Sequence, residues 1–330
     1  MMAKEDIPSF EKINYMLRPR KQIERKISIE ILQELQQIVP GFEEFRYIGM
    51  GSIYYYDYIL FHKYLKIKNY TSLDNKAIPY RFKYNRPYDF IDFQNVISTD
   101  FLENFTFDSN IIIWLDYDSS LNEDVFNDFA ILSKKCKQND IVIFTLNVTC
   151  PYTIKKRKRV MGPFTDYLSG KYQPVKTFLK EEKFAYLYQD ICLNYFADKC
   201  VSQDLKFNKF FAIKYADNAT MLTIAGIMGE TDEVVQKLTH PFVRTDEQIV
   251  AIKVPNLTYK EKFYLDSRID LIKNSIAKIE KKIEKIPISA DDEKEFVRNE
   301  LDMKFELSIE DLKQYAEYYR YYPQYYEGII

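Results

Sequence analysis

The chain has 330 residues, of which 46% are hydrophobic and 29% charged, and its net charge is −2. This composition is typical of a folded protein, and the near-neutral charge excludes a chain that is basic throughout. Four cysteines without a C-x-x-C pair and only two histidines exclude a zinc knuckle, a disulfide framework and a histidine-rich metal site. The chain starts without an apolar signal sequence and lacks an apolar run of about 20 residues, so we expect a cytoplasmic protein that does not enter a membrane.

The first 44 residues predict a basic segment followed by a helix. Apolar side chains recur at helical spacing from Ile23 to Ile38, and Pro40-Gly41 ends the run. Basic side chains near the helix start either belong to an ordinary solvated surface or bind a carboxylate or phosphate group of a substrate. The candidates for substrate binding are Arg18, Arg25 and Lys26.

Residues 45–150 alternate short strands and helices. Apolar and alternating runs predict strands at 46–48, 71–74, 89–93, 111–115 and 140–148, with helices at 53–65 and 122–135. The continuous apolar runs at 111–115 and 140–148 are typical of strands that are buried on both faces. This order predicts an α/β fold, a doubly wound and mostly parallel sheet with helices on both faces.

The pattern changes after Pro151. Residues 151–174 predict a basic loop insertion, which is either a solvated loop or a surface for the phosphates of a nucleic acid. Its cluster at 153–159 contains the candidate binding residues Lys156, Arg157 and Arg159. A helix from about Val175 to Lys199 and an antiparallel hairpin at 209–227 would complete the domain, which we expect to span residues 45–258.

Residues 259–330 predict a helical appendage with a tyrosine-rich tail. Leucine and isoleucine side chains between 265 and 286 alternate in spacings of four and three residues, which is the seam of a coiled coil. The seam packs either against other parts of this chain or against a partner protein or a second copy of this chain. Three heptads alone make a marginal dimer, which favours the first alternative.

Two glycines follow the first predicted strand and precede a predicted helix. They are Gly49 and Gly51, with Ser52 as the expected N-cap, and Asp74 ends the next strand 23 residues after Gly51. Glycines let a ligand approach the backbone, a helix N-terminus presents N–H groups, and an acid about 20 residues later can accept hydrogen bonds from a ribose. With Asp116 at a further strand end, the spacing favours a nucleoside-bearing cofactor over a simple tight turn.

This arrangement resembles the fold of S-adenosylmethionine-dependent methyltransferases, which is Rossmann-like. Residues 15–26, 46–54 and 114–118 are similar to a bacterial O-methyltransferase-like family, and the likeness covers roughly residues 14–255. The resemblance implies an enzyme that uses S-adenosylmethionine to methylate an unidentified acceptor. It implies cofactor binding by Gly49, Gly51, Ser52, Asp74 and Asp116, and catalytic roles for Asp116 and Asp118.

The sequence departs from the wider fold family in two places. The usual third glycine of the loop is absent, since Ser52-Ile53-Tyr54 follows Gly51. The Asp-Pro-Pro-Tyr signature of amino-methyltransferases is also absent, because the fourth strand ends in Asp116-Tyr117-Asp118-Ser119. The second departure makes methylation of nitrogen less favoured and methylation of oxygen more so.

The sequence is also compatible with functions other than methyl transfer. The fold can serve as a non-catalytic interaction subunit of a bacterial multiprotein complex, such as a defence complex, with the heptad helix docking a partner. It can also serve as a nucleic-acid-binding component that works through residues 153–159. The oxygens of Asp116, Asp118 and Asn147 could hold Mg²⁺, but capping of strand ends is the favoured alternative, so we predict no metal.

Overall fold

The computed structural model describes residues 18–75, 78–172, 180–200, 204–285 and 289–324. The described chain divides into two compact units. The first unit contains residues 27–251, and the second contains residues 18–26 together with residues 252–324. The second unit therefore includes the start of the N-terminal helix as well as the C-terminal region.

Within the described residues, eight strands form one sheet. They are β1 (Arg46–Met50), β2 (Asn69–Leu73), β3 (Ile91–Gln94), β4 (Ile111–Asp116), β5 (Ile141–Asn147), β6 (Lys206–Ala216), β7 (Thr220–Gly229) and β8 (Val250–Ile252). Their order is β3-β2-β1-β4-β5-β7-β6-β8. Strands β1 to β5 run parallel, while β7 is antiparallel to both β5 and β6. The predicted fold class, a mostly parallel sheet with a terminal antiparallel hairpin, is confirmed.

Helices of the first unit connect these strands. They are α1 (Pro19–Ile38), whose residues from Ile27 onward belong to this unit, α2 (Tyr56–Leu65), α3 (Pro79–Tyr84), α4 (Ser98–Asn104), α5 (Glu123–Lys135), α6 (Ile154–Met161), α7 (Glu181–Cys200) and α8 (Glu233–Gln236). The second unit contains α9 (Tyr259–Ser267), α10 (Ile269–Ile283), α11 (Ala290–Glu300) and α12 (Ile309–Tyr318). No described helix is both long and apolar enough to cross a membrane.

The core of the first unit lies on both faces of β4 and β5. These strands bury every residue except the last one, as their continuous apolar sequences predict. Phe144 of β5 packs against Phe129 of α5 at 4.6 Å and Phe196 of α7 at 5.9 Å between ring centroids. Helices α5 and α7 therefore pack against the strands whose C-terminal ends form one edge of the sheet.

The turn after β1 differs from the prediction. Tyr55, not Ser52, is the residue that precedes α2, and its φ is +46°. The carbonyl oxygen of Ser52 instead accepts from the Tyr55 N–H at 3.0 Å. The Tyr55 ring is buried and its hydroxyl donates to the carbonyl oxygen of Phe82, so burial of this aromatic side chain decides where the helix begins.

The basic segment after β5 is a helix, where the sequence predicts a loop. Thr153 caps α6 by accepting from the Lys156 N–H at 3.3 Å, and Met161 at the far end is buried in the core of the first unit. The cap at one end and the burial of Met161 at the other both stabilise this short helix. The predicted start of the next helix, Val175, lies outside the described residues.

The heptad region forms two helices in place of the single predicted one. The break falls at Arg268, between α9 and α10. Leu265, Ile272 and Ile279 are buried, and α10 packs against α11 and α12 of the same unit. Other parts of this chain therefore cover these three positions of the seam, while Ile269, Ile276 and Ile283 are half-buried. The end of the heptad run, Ile286, lies outside the described residues.

Candidate functional site

A cavity of about 410 Å³ lies in the first unit, at the carboxyl edge of the parallel strands. Its walls are formed by residues at and just after the ends of β1, β2 and β4, by residues after β3, and by the start of α5. Ligands of open α/β sheets bind at this edge, and pockets of about 300–1,000 Å³ accommodate small molecules. Four of the residues that the sequence singles out line this cavity: Gly51, Asp74, Asp116 and Asp118.

The two glycines serve different purposes. The N–H of Gly51 donates to the carbonyl oxygen of Leu73 at 2.8 Å, and a Cβ at Gly51 would lie 2.3 Å from the Oγ of Ser72. Gly51 therefore joins the ends of β1 and β2 closely while lining the cavity. A Cβ at Gly49 would lie 2.7 Å from the phenol oxygen of Tyr47, so Gly49 is required for packing within the unit. Neither Gly49 nor Ser52 lines the cavity.

Four carboxylates line the cavity, those of Asp74, Asp116, Asp118 and Asp124, the last in the first turn of α5. Asp74 follows β2, and its N–H donates to the carbonyl oxygen of Gln94, the last residue of β3, at 3.2 Å. Asp116 is the last residue of β4, and both it and Asp74 are half-buried. Asp118 is exposed two residues further on. These positions follow from the fold, because parallel strands bring their carboxyl ends to the same edge.

A fifth carboxylate, that of Asp128 in α5, does not line the cavity itself. It is fully buried and accepts hydrogen bonds from the Ser98 hydroxyl at 2.6 Å, the Thr99 hydroxyl at 2.5 Å and the Tyr117 hydroxyl at 2.6 Å. All three donors line the cavity. Burial and the adjacent Asp128 charge raise the pKa of Tyr117 well above its ordinary value, so its hydroxyl stays a hydrogen-bond donor.

Asp128 is absent from the residues predicted for the site, although the sequence carries a signal for it. Asp128 occupies a position on the apolar face of α5, which also carries Val125, Phe129 and Leu132. An acid on such a face requires buried partners, because an isolated buried charge is costly. The partners themselves could not be read from the sequence, since they come from α4 and from the segment after β4.

Asn147, at the end of β5, is engaged by the loops around it. Its amide nitrogen donates to the carbonyl oxygen of Asp118 at 3.4 Å, and its amide oxygen accepts from the Thr149 N–H at 3.0 Å. These contacts favour the strand-end capping that the sequence suggested. In the described part of the chain, no three His, Cys, Asp or Glu side chains are grouped to hold a metal ion.

The remaining candidate residues are not among those that line the cavity. Lys156 and Arg159 are exposed on α6, and the Arg157 Nε donates to the carbonyl oxygen of Pro151 at 2.6 Å. The other three, Arg18, Arg25 and Lys26, belong to the second unit. Substrate binding by these six residues stays a prediction.

Two of the second-unit candidates already have structural contacts. The guanidinium of Arg25 is buried and donates to Glu24 at 2.5 Å. The Lys26 ammonium donates to the carbonyl oxygen of Tyr321 at 2.9 Å. Burial, with a smaller contribution from nearby Lys262, lowers the pKa of Lys26 to about 8. These contacts account for both side chains without a ligand.

Solved structures with a similar fold include methyltransferases. The structure is similar to Trm1 from Pyrococcus horikoshii, solved with S-adenosyl-L-methionine, at 11% identity and a TM-score of 0.46 over 86% of this chain and 82% of that one. It is also similar to the plantazolicin methyltransferase BamL, at 12% identity and a TM-score of 0.43 over 68% and 92% of the two chains. These similarities are too remote to assign a substrate. A search of curated proteins finds no match.

The sequence family is clear from a match to almost the whole chain. The family model described as "Putative O-methyltransferase" matches residues 13–330, which include both units. The match extends beyond residue 255, near which the predicted resemblance to this kind of family ends. The strand order of the sheet and the cavity at its carboxyl edge are consistent with this match. The chain therefore belongs to the "Putative O-methyltransferase" family.

Proposed function

We propose that this protein transfers a methyl group from S-adenosylmethionine to an oxygen of an acceptor. The observation that carries the proposal is the cavity at the carboxyl edge, which gathers Gly51, Asp74, Asp116 and Asp118 at the ends of three strands. Membership of a family described as O-methyltransferases supports the same activity. Oxygen methylation is also favoured by the absence of proline after Asp116.

The walls of the cavity have the chemistry that this cofactor requires. Asp74 offers a half-buried carboxylate to the two ribose hydroxyls. Val96 and Ile97 offer apolar surface to the adenine ring, and Ile97 is 44% exposed. The remaining carboxylates, Asp116, Asp118 and Asp124, place negative charge beside a ligand that carries a positive sulfur.

The protein's residues would position the acceptor and receive its proton. S-adenosylmethionine, when bound, supplies a methyl group attached to a positively charged sulfur. Asp116 is half-buried at the end of β4 and is placed to orient an acceptor hydroxyl. Asp118 is exposed at the same cavity, so its carboxylate can accept the hydroxyl proton and release it to water.

Calorimetry with S-adenosylmethionine tests the proposal through Asp74→Ala. The substitution removes two charge-assisted hydrogen bonds to the ribose and should weaken cofactor binding by about 2–4 kcal/mol. The melting temperature of the ligand-free protein should hardly change, because Asp74 is only half-buried.

Asp108→Ala is the matched control, since Asp108 is an exposed acid of the same unit that does not line the cavity. It should leave cofactor affinity unchanged. Absence of binding at millimolar S-adenosylmethionine would refute the proposed activity. A destabilised Asp74→Ala protein with unaltered affinity would remove Asp74 from the site.

A further inference from the structure

Helix α3 exposes two tyrosines on one side while it is anchored on the other. Phe82 is buried and stacks on Phe93 of β3 with ring centroids 5.4 Å apart. Tyr80 and Tyr84, one helical turn apart, are 86% and 89% exposed. Exposure of two large aromatic rings at this spacing on an anchored helix provides a preformed stacking surface.

Helix α6 forms a second surface of the same kind. Five consecutive cations, residues 155–159, lie in this helix, which contains no acid. Tyr152, just before its N-cap, is 96% exposed, and Ile154 is 60% exposed. Aromatic surface therefore lies next to the basic cluster, which the sequence alone did not indicate.

Both surfaces begin at the edge of the sheet that carries the cavity. Helix α3 follows β2, and α6 follows β5, and these two parallel strands end at that edge. Asn75 lines the cavity, and Pro79 begins α3 only four residues later, so their Cα atoms lie within about 14 Å. The Tyr55 hydroxyl, which belongs to the turn after β1, donates to the Phe82 carbonyl oxygen and holds α3 beside this edge.

Positive charge is concentrated on these two segments. Residues 79–86 carry three cations and residues 154–161 carry five, with no acid in either segment. Since the whole chain has net charge −2, subtracting these eight positive charges leaves −10 for all other residues. Such segregation matches a polyanion, and the polyanion that also presents aromatic faces is a nucleic acid.

We propose that α3 and α6 bind single-stranded RNA across the cavity and that this RNA is the methyl acceptor. Bases stack on the exposed tyrosines, and phosphates contact the cations of the two helices. A duplex would hide the base faces that the tyrosines contact. RNA rather than DNA follows from the proposed oxygen methylation, on which this inference rests, because each RNA nucleotide carries a ribose 2′-hydroxyl.

The reaction balances without any further reactant. A bond forms between the 2′-oxygen and the methyl carbon as the bond from that carbon to sulfur breaks. The electron pair of the broken bond stays on sulfur, which leaves as neutral S-adenosylhomocysteine. The proton of the 2′-hydroxyl passes to the carboxylate of Asp118 and then to water.

Fluorescence anisotropy with a labelled single-stranded RNA of mixed sequence tests the binding surface in the full-length protein. Tyr80→Ala/Tyr84→Ala should weaken binding about tenfold or more. The matched control is Tyr259→Ala/Phe263→Ala, which removes two aromatics that are four residues apart and 54% and 65% exposed on α9. The control should bind as the unaltered protein does.

Salt dependence tests the contribution of the cations. With about four phosphates bound, raising salt from about 50 to 200 mM should weaken RNA binding about 50-fold. Lys156→Ala/Lys158→Ala should make this dependence shallower, by about 0.7 unit of the logarithmic slope for each phosphate that a substituted lysine would have neutralised. Lys278→Ala/Lys281→Ala, on exposed positions of α10, should leave it unchanged.

The outcomes separate this inference from the proposed function. Three results would overturn the binding surface without affecting cofactor binding. They are failure of the protein to bind RNA at 50 mM salt, a loss of RNA affinity in Tyr259→Ala/Phe263→Ala as large as in Tyr80→Ala/Tyr84→Ala, and equal affinity for single-stranded and duplex RNA. Transfer of labelled methyl to RNA and not to DNA of the same sequence supports the acceptor. RNA binding without any methyl transfer, in protein that binds S-adenosylmethionine, would overturn RNA as the acceptor. Failure of the unaltered protein to bind S-adenosylmethionine would refute the proposed function, even if the protein binds RNA.

Discussion

At the scale of single residues, Asp128 connects the cavity wall to the interior of the first unit. Its buried carboxylate accepts from three hydroxyl groups that line the cavity. Asp128→Asn removes the charge and leaves one acceptor oxygen for three donors. We expect a loss of about 2–4 kcal/mol in the free energy of unfolding, because hydrogen bonds to a charged group contribute about 1.5–3 kcal/mol each. We also expect weaker S-adenosylmethionine binding, since Ser98 and Thr99 would no longer be held in place.

Urea denaturation and calorimetry measure the two effects on the same protein. Asp108→Asn removes an exposed charge from the same unit and should change the free energy of unfolding by less than about 0.5 kcal/mol. An Asp128→Asn protein as stable as the Asp108→Asn control would show that the three hydroxyl contacts contribute little.

The residues of the site differ in how far the sequence predicts them. Asp74 and Asp116 could be placed at one edge, because an acid at the end of a parallel strand must lie where the other strands end. The start of α2 could not be predicted, because burial of Tyr55, a tertiary effect, overrides the capping preference of Ser52. The partners of Asp128 were likewise hidden, since Ser98 lies 30 residues away along the chain.

At the scale of elements, α10 shows how a heptad pattern is used within one chain. Ile272 is 2% exposed and faces the other helices of the second unit, whereas its neighbour Leu271 is 46% exposed. Ile272→Ala should lower the free energy of unfolding by about 2–5 kcal/mol, because it leaves a cavity in a packed helical interface. Leu271→Ala is the matched control and should cost about 1 kcal/mol or less.

Thermal and urea unfolding of the two variants provide the measurement. Similar losses for both substitutions would contradict an orientation of α10 that buries Ile272 and exposes Leu271. The heptad spacing predicts which positions are apolar but not what covers them. It also gives no sign of the break at Arg268, whose N–H donates to the carbonyl oxygen of Leu265 in the last turn of α9.

At the scale of the whole molecule, the sheet of the first unit is the feature that the sequence predicts best. Apolar runs at 111–115 and 140–148 were long and regular enough to indicate buried parallel strands, and the structure confirms them as β4 and β5. The inclusion of residues 18–26 in the second unit could not be foreseen, because it depends on contacts with residues more than 200 positions away. One such contact joins Lys26 to Tyr321.

The cysteines report on the integrity of the first unit, which contains all four of them. Cys136, Cys192 and Cys200 are buried in the core of the first unit, and Cys150 is half-buried. Burial raises the pKa of all four thiols, that of Cys200 to about 11. Because the thiolate is the reactive form, iodoacetamide at pH 8 should modify Cys150 first and the three buried thiols only as the protein unfolds. Mass spectrometry of the intact protein counts the modified thiols over time.

The same pKa shifts predict how stability depends on pH. An unfolded thiol ionises near pH 8.5, whereas the buried thiols keep their protons to higher pH, so the folded state binds more protons above that value. Their contribution to the free energy of unfolding is therefore fully present below about pH 8.5 and decreases as pH rises above that value, and for Cys200 the decrease continues to a pH of about 11. Cys192→Ala should make this decrease in the free energy of unfolding smaller.

In the iodoacetamide experiment, Cys150→Ser should remove only the fast labelling phase. Rapid modification of two or more thiols in the folded protein at pH 8 would contradict the packing of this core.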